Sequence, residues 1–151
     1  MTVPMSDDLD RFVVAQTGTY AGALAELRAG RKTGHWIWFV FPQLVGLGHS
    51  PASTFYGIRG LDEARAYLSH PVLGPRLREA FEVLLAVDGR PAEAILGAID
   101  ARKVRSSATL FLRAAPDEAI WVRVLDRFYA GVADSRTDEL LADRGQAGPP
   151  S

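Results

Sequence analysis

The decapeptide Gly34-His35-Trp36-Ile37-Trp38-Phe39-Val40-Phe41-Pro42-Gln43 constrains this chain more than any other stretch. It holds two of the three tryptophans and two of the seven phenylalanines. Rings of that size bury roughly 150–250 Å² each, so the segment has to lie inside. His35 and Gln43 stand beside the buried run, and polar groups there need hydrogen-bond partners or a ligand. The loop that follows, Gly46-Leu47-Gly48-His49-Ser50, has two glycines that let backbone turn closely.

A short continuous apolar run suits either a buried strand or a buried helical turn, and its aromatic and β-branched content leans towards strand. A strand needs a partner, however, and no other stretch has the alternation to supply one. The run is therefore read as helical. Around it, Leu9, Phe12, Val13 and Gln16 share a helical face, then Tyr20, Leu24 and Leu27 continue to Gly30, as two segments or one bent helix. Ser50-Pro51 begins a helix, Leu61 to Leu68 a short one, and Gly74-Pro75 restarts the chain into Leu77, Phe81, Leu84 and Leu85. Pro91 opens a small helix closed by Gly97. Asp100 is the expected cap of the next, Pro116 the expected start of one through Trp121 to Phe128, and Asp134 or Ser135 the cap of the last. The expected fold is all-α, a compact single-domain bundle of about eight or nine mostly short helices over residues 7–142. Residues 1–6 are expected to form a flexible arm and residues 143–151 a disordered tail.

Composition narrows the function classes. The 17 basic and 18 acidic residues give a formal net charge of −1, without the basic excess of a general nucleic-acid binder. The chain has no cysteine, so disulfides, thiolate metal sites and cysteine nucleophiles are excluded. His35, His49 and His70 have no metal-ligand spacing. Neither a signal peptide nor an apolar run of membrane-spanning length, about 18 residues, is apparent. The expectations are no metal, no cofactor, no nucleic acid, no membrane and a cytoplasmic location, with the chain a monomer or a homodimer.

Gly30-Arg31-Lys32, the decapeptide and Gly46 to Ser50 together resemble the signature of an uncharacterised bacterial family. Its members often carry the label calpastatin, and its structural archetype is a mycobacterial hypothetical protein. Supporting matches are Phe12 with Ala15-Gln16, the segment from Tyr67-Leu68 to His70-Pro71 and Leu73-Gly74, Asp100 with Lys103, Ser106-Ser107 with Thr109-Leu110-Phe111, and Gly131 with Asp134. The resemblance covers residues 8–142 and implies a compact all-α domain without an assigned biochemistry. Calpastatin-type inhibitors are disordered repeat polypeptides, so that label implies nothing for this chain. A looser similarity, through Gln16, a lysine-bearing turn and the segment Trp121 to Leu141, is to the NADAR-type N-glycosidases, which act on ADP-ribose-type linkages.

The residues themselves outline a polar site. His35 is the candidate acid/base, or else a structural histidine bonded to backbone. Trp36 and Trp38 can stack on a base or fill the core; on a helix, positions two apart diverge, so at most one lines a pocket, and Trp36 is the expected wall. Gln43 can read an amide or base edge, or tie down the following loop. Gly46, Gly48 and Ser50 can cradle a phosphate or form only a tight turn. Lys32, Lys103, Ser106 and Ser107 are the expected anion partners, with a solvated lysine and back-bonded serines as the plain alternative. Tyr56 is placed at the rim or in the core. The function expected from these residues is binding of a nucleotide or other anionic small molecule. If the domain is catalytic, the reaction is metal-independent hydrolysis or transfer on a nucleotide-like or ADP-ribose-like substrate. The competing expectation is a non-enzymatic structural or protein-interaction module.

Overall fold

The computed structural model of the chain describes residues 5–145. Among them are ten helices and no strand: α1 (Met5–Gln16), α2 (Tyr20–Arg28), α3 (Ile37–Val40), α4 (Pro51–Phe55), α5 (Leu61–Ser69), α6 (Leu73–Leu85), α7 (Ala92–Leu96), α8 (Ala98–Ala114), α9 (Ile120–Tyr129) and α10 (Ser135–Asp143). The fold is all-α, as the periodicity predicts. The expected arm and tail fall largely on residues 1–4 and 146–151, which lie outside the described residues; Met5 and Ser6 already belong to α1.

The helix count exceeds the expected eight or nine because α1 and α2 stay separate, with Gly18 at φ +79° breaking the chain between them. Three helix starts also differ from expectation. Asp100 lies inside the first turn of α8 rather than capping it, which frees its carboxylate for other partners. Pro116 belongs to a turn that precedes α9. Pro75 sits within the first turn of α6, where no intrahelical amide bond is lost. Other signals hold: Gly30, at φ +73°, ends α2 with its N–H on Leu27 O and that of Arg31 on Glu26 O, the paired bonds of a Schellman close. Ser50 and Asp134 accept the capping amides of α4 and α10.

The molecule is organised around α8, which packs against α3, α5, α7, α9 and α10. Its residues Ser106 to Phe111 are all buried, the pattern of a helix covered on every side. Around it runs a continuous series of aromatic rings. Trp36 meets Phe41 at 6.2 Å between centroids, Phe41 meets Phe81 at 4.7 Å, and Phe81 meets Trp121 at 5.6 Å. Trp121 then contacts Phe111, Phe111 contacts Tyr67, and Tyr67 stands edge-on to Phe12 at 5.1 Å. The motif is thus tied by ring contacts to α6, α9, α8, α5 and α1. Each tilted or edge-on pair is worth roughly 0.5–1.5 kcal/mol beyond its buried area.

Two polar devices hold the motif in register. Glu26 Oε1 accepts from the N–H groups of Thr33 and Gly34, at 2.6 and 2.8 Å, and from Trp36 Nε1 at 3.0 Å. Desolvation works to raise the pKa of this carboxyl, but the bonds from Gly34, Thr33 and Trp36 outweigh it and bring it down from 4.5 to about 2. On the other flank, Ile58 donates to Gln43 O and Val45 donates to Ile58 O, so Leu44 and Ile58 form a single parallel bridge. The motif therefore does find an extended partner, one residue long, which the search for alternating stretches could not reveal. Gly57 makes this clamp possible: a Cβ there would lie 2.5 Å from Val45 Cβ and 2.7 Å from its Cα. No helix among the described residues is long and apolar enough to cross a membrane.

Gly57→Ala is expected to destabilise the protein by roughly 1–3 kcal/mol, the usual cost of overpacking, as measured by thermal or urea denaturation; an unchanged midpoint would contradict the close approach at Val45. Because the folded pKa of Glu26 is depressed, its contribution to stability is present above 4.5 and disappears as the pH falls from there towards 2. Glu26→Gln should accordingly flatten the acid limb of a stability–pH profile across that window, whereas an acid limb identical to that of the parent protein would show that the carboxylate does not hold the motif.

Candidate functional site

The motif, the loop after it and the two helices beside it enclose an open hollow of about 460 Å³, within the size range of small-molecule sites. Trp38 and Gln43 come from the motif, Leu47 to Ser50 with Ser53 from the loop and α4, Arg102, Lys103 and Ser106 from α8, and Asp134 and Arg136 from the start of α10. Each wall is fixed for a structural reason. The helical turn of α3 sends Trp36 inward and Trp38 outward, as a spacing of two requires. The Gln43–Ile58 clamp folds the loop back over the motif. Asp134 joins α10 to α8: its Oδ2 accepts from Ser106 Oγ at 3.1 Å, Thr137 N at 3.0 Å and Thr137 Oγ1 at 2.6 Å, while its own N–H donates to Thr109 Oγ1 at 2.8 Å.

The charged side chains on the wall are three cations, Arg102, Lys103 and Arg136, and one carboxylate, Asp134. Lys103 Nζ lies 4.7 Å from the centre of the Trp38 ring and 3.4 Å from Asp100 Oδ1. The other oxygen of Asp100 takes Lys32 Nζ at 2.7 Å, and Lys32 also donates to Gly34 O and stands 5.1 Å from the centre of the Trp36 ring. With a side chain only 8% exposed, Lys32 is a buried counter-ion. It answers the charge of Asp100, so that the positive charge of Lys103 is left over for the hollow. Arg102 makes no ion pair among the described residues, and Arg136 only a surface contact to Glu139 at 3.6 Å, of the kind worth at most about 1 kcal/mol.

Gln43 is the most telling polar group. Its side chain lines the hollow while the residue as a whole is 7% exposed, and its carboxamide takes no hydrogen bond from any described residue. Its backbone, not its amide, tethers the loop. The amide is reachable from the hollow, since the one side-chain polar atom both enclosed and unpartnered among the described residues is Ser107 Oγ. A carboxamide so placed, accessible and without a protein partner, is free to hydrogen-bond whatever enters the hollow.

The structure gathers Gln43, Gly48, Ser50, Lys103 and Ser106 of the expected set at one hollow. The remaining positions lie elsewhere. His35, the expected acid/base, is exposed and off the wall, and makes no hydrogen bond among the described residues. Trp36, the expected aromatic wall, is in the core with its Nε1–H on Glu26, and Trp38 takes its place. Lys32 acts through Asp100 rather than from the wall. Tyr56 belongs to the ring series, beside Phe12, Phe39 and Phe55. Ser107 is buried in α8, and Gly46 turns against Leu140 and Arg144 of α10's end. The capping amide of α4, that of Ser53, is already taken by Ser50 Oγ at 3.1 Å, so the loop is held as a capped turn. Gln16 is likewise spoken for: it donates to Phe39 O and Tyr67 Oη and accepts from Arg76. Sequence reasoning did not place His49, Ser53, Arg102, Asp134 and Arg136 on the wall. His49 was the one accessible signal, as the second histidine of the motif region, directly before the α4 cap. No group of three or more His, Asp or Glu side chains among the described residues is placed to hold a metal.

The family model described as protein of unknown function DUF1810 matches residues 6–141, taking in the motif, the loop and both helices of the hollow. A solved structure, that of the conserved hypothetical protein Rv1873 from Mycobacterium tuberculosis, is similar to this chain with 52% sequence identity and a TM-score of 0.88, over 89% of this chain and 96% of that one. Comparison with curated proteins gives no match. The chain belongs to the DUF1810 family of proteins of unknown function.

Proposed function

We propose that this domain binds an anionic, nucleotide-like small molecule in the hollow between the motif, the loop and α8. The carboxamide of Gln43, a residue only 7% exposed on the hollow wall whose amide takes no hydrogen bond from any described residue, is the observation that carries the reading. Around it the wall has an excess of positive charge, which suits a phosphate or carboxylate. Ser50, Ser53 and Ser106 add hydroxyls. Trp38 offers an aromatic face that Lys103 covers at 4.7 Å; a planar ring entering there takes that face while the ammonium turns to the anion. This accounts for an ADP-ribose-like or nucleotide ligand better than for a purely apolar one, since the wall presents charge and hydroxyls where an apolar ligand needs carbon. If the domain turns its ligand over by hydrolysis or transfer, His49 rather than His35 is the imidazole positioned to serve.

Calorimetry and thermal-shift measurements with ADP-ribose, NAD and AMP test the reading, since a ligand at 100 times its dissociation constant stabilises by ~2.7 kcal/mol. Lys103→Ala and Arg136→Ala are each expected to weaken binding by about ten- to a hundredfold, the range of a lost charge-assisted hydrogen bond of roughly 1.5–3 kcal/mol. His35→Ala should bind as the parent does. Absence of any stabilisation at millimolar ligand, or equal losses in all three variants, would count against the hollow as the binding site.

A further inference from the structure

Asp134 is an anomaly on a wall otherwise suited to anions. It cannot swing away, because Oδ2 is held by Thr137 N and Thr137 Oγ1, with Ser106 Oγ sharing its single proton between Oδ2 and Arg102 O. Its other oxygen, Oδ1, takes no hydrogen bond among the described residues and is not enclosed. Asp134 lines the hollow, and a fixed carboxylate with an accessible oxygen there repels a bare phosphate, unless the bound molecule also brings hydrogen-bond donors. Ionised carboxylates only accept, and adjacent hydroxyls are the donors most often joined to a phosphate in a small molecule. Gln43 can complete such a contact, because its amide has both a donor and an acceptor to offer and neither is used within the protein.

From this we infer that the ligand is a phosphorylated polyol, a sugar phosphate whose vicinal hydroxyls are received by Asp134 Oδ1 and Gln43 while its phosphate lies with Lys103, Arg102 and Arg136. The inference rests on the binding reading above and deepens it: the hollow selects for hydroxyls as well as for charge.

Propyl phosphate and ribose 5-phosphate separate the two claims, titrated calorimetrically into the parent protein and into Asp134→Asn. In the variant the amide oxygen has to occupy the position that accepts from Thr137 N and Thr137 Oγ1, so its NH₂ takes the place of Oδ1 and a donor replaces the acceptor. The cap is kept, because asparagine serves there as well as aspartate, and an unchanged melting temperature verifies that. The expected result is ribose 5-phosphate binding the parent at least about tenfold tighter than propyl phosphate, as one charge-assisted bond would give. Asp134→Asn should abolish that preference while binding propyl phosphate as well or better, because a repulsive charge is gone. If neither compound binds the parent, the anion reading fails and this inference with it. If both bind the parent equally, or the variant weakens both alike, the hydroxyl assignment is overturned and the anion site stands.

Discussion

The contact on which the rest of the structure depends is the ring series that begins at Trp36 and ends at Phe12. It passes through six elements of the chain, several of them too short to be stable alone, since an isolated helix under about 12 residues is marginal in water. Helices such as α3 and α4, with four and five residues, persist because tertiary contacts supply what their length does not. The rings also set the direction of everything polar nearby. Once Trp36 and Phe41 are drawn inward, the geometry of a helical turn sends Trp38 the other way, and Gln43 follows at the point where the backbone straightens.

A second layer of organisation is electrostatic. Glu26 collects three donors from the start of the motif on a single oxygen, while Asp100 joins Lys32 under the motif to Lys103 on the hollow wall. These pairs are partly or largely buried, and half-made they would be costly. Their arrangement explains why a chain of nearly neutral net charge can still present a locally positive surface: Asp100 stands behind the wall and is shared by two lysines, Lys32 and Lys103, so one positive charge is left over. Net charge reports on solubility and general partners, and it is blind to this arrangement.

The fold was legible in the sequence because its signals are local. Helical spacing in α1, α5 and α6, proline at the start of α4, and the Gly30 stop of α2 each act within a few residues. The lining of the hollow was legible only in part. Gln43, Ser50, Lys103 and Ser106 of the expected set stand on it, each beside a feature that announces itself, an aromatic run, a glycine loop or a patterned helix. His35 lies off it, because adjacency in sequence does not fix the side to which a residue points at the edge of a helical turn. Of the two expected caps of α10, Asp134 and Ser135, Asp134 is the one that serves, yet its place on the hollow follows only from the packing of α10 on α8, a contact between segments 28 residues apart. Trp36 and Trp38 exchanged roles because their divergence follows from helical geometry, whereas the choice between them depends on where Phe41 and Phe81 lie.

The clamp between residues 43–45 and Ile58 marks off the aromatic interior of the domain from the loop that borders the hollow. Backbone bonds and the missing side chain of Gly57 close the loop at its base, so the two ends of the loop are fixed without help from the exposed residues His49 and Ser50 between them. Closing a longer loop adds only about 0.6 kcal/mol per doubling of its length. The exposed tip of the turn is therefore the one place along this stretch where a change of side chain or an added residue is absorbed locally, with the base of the loop as its boundary.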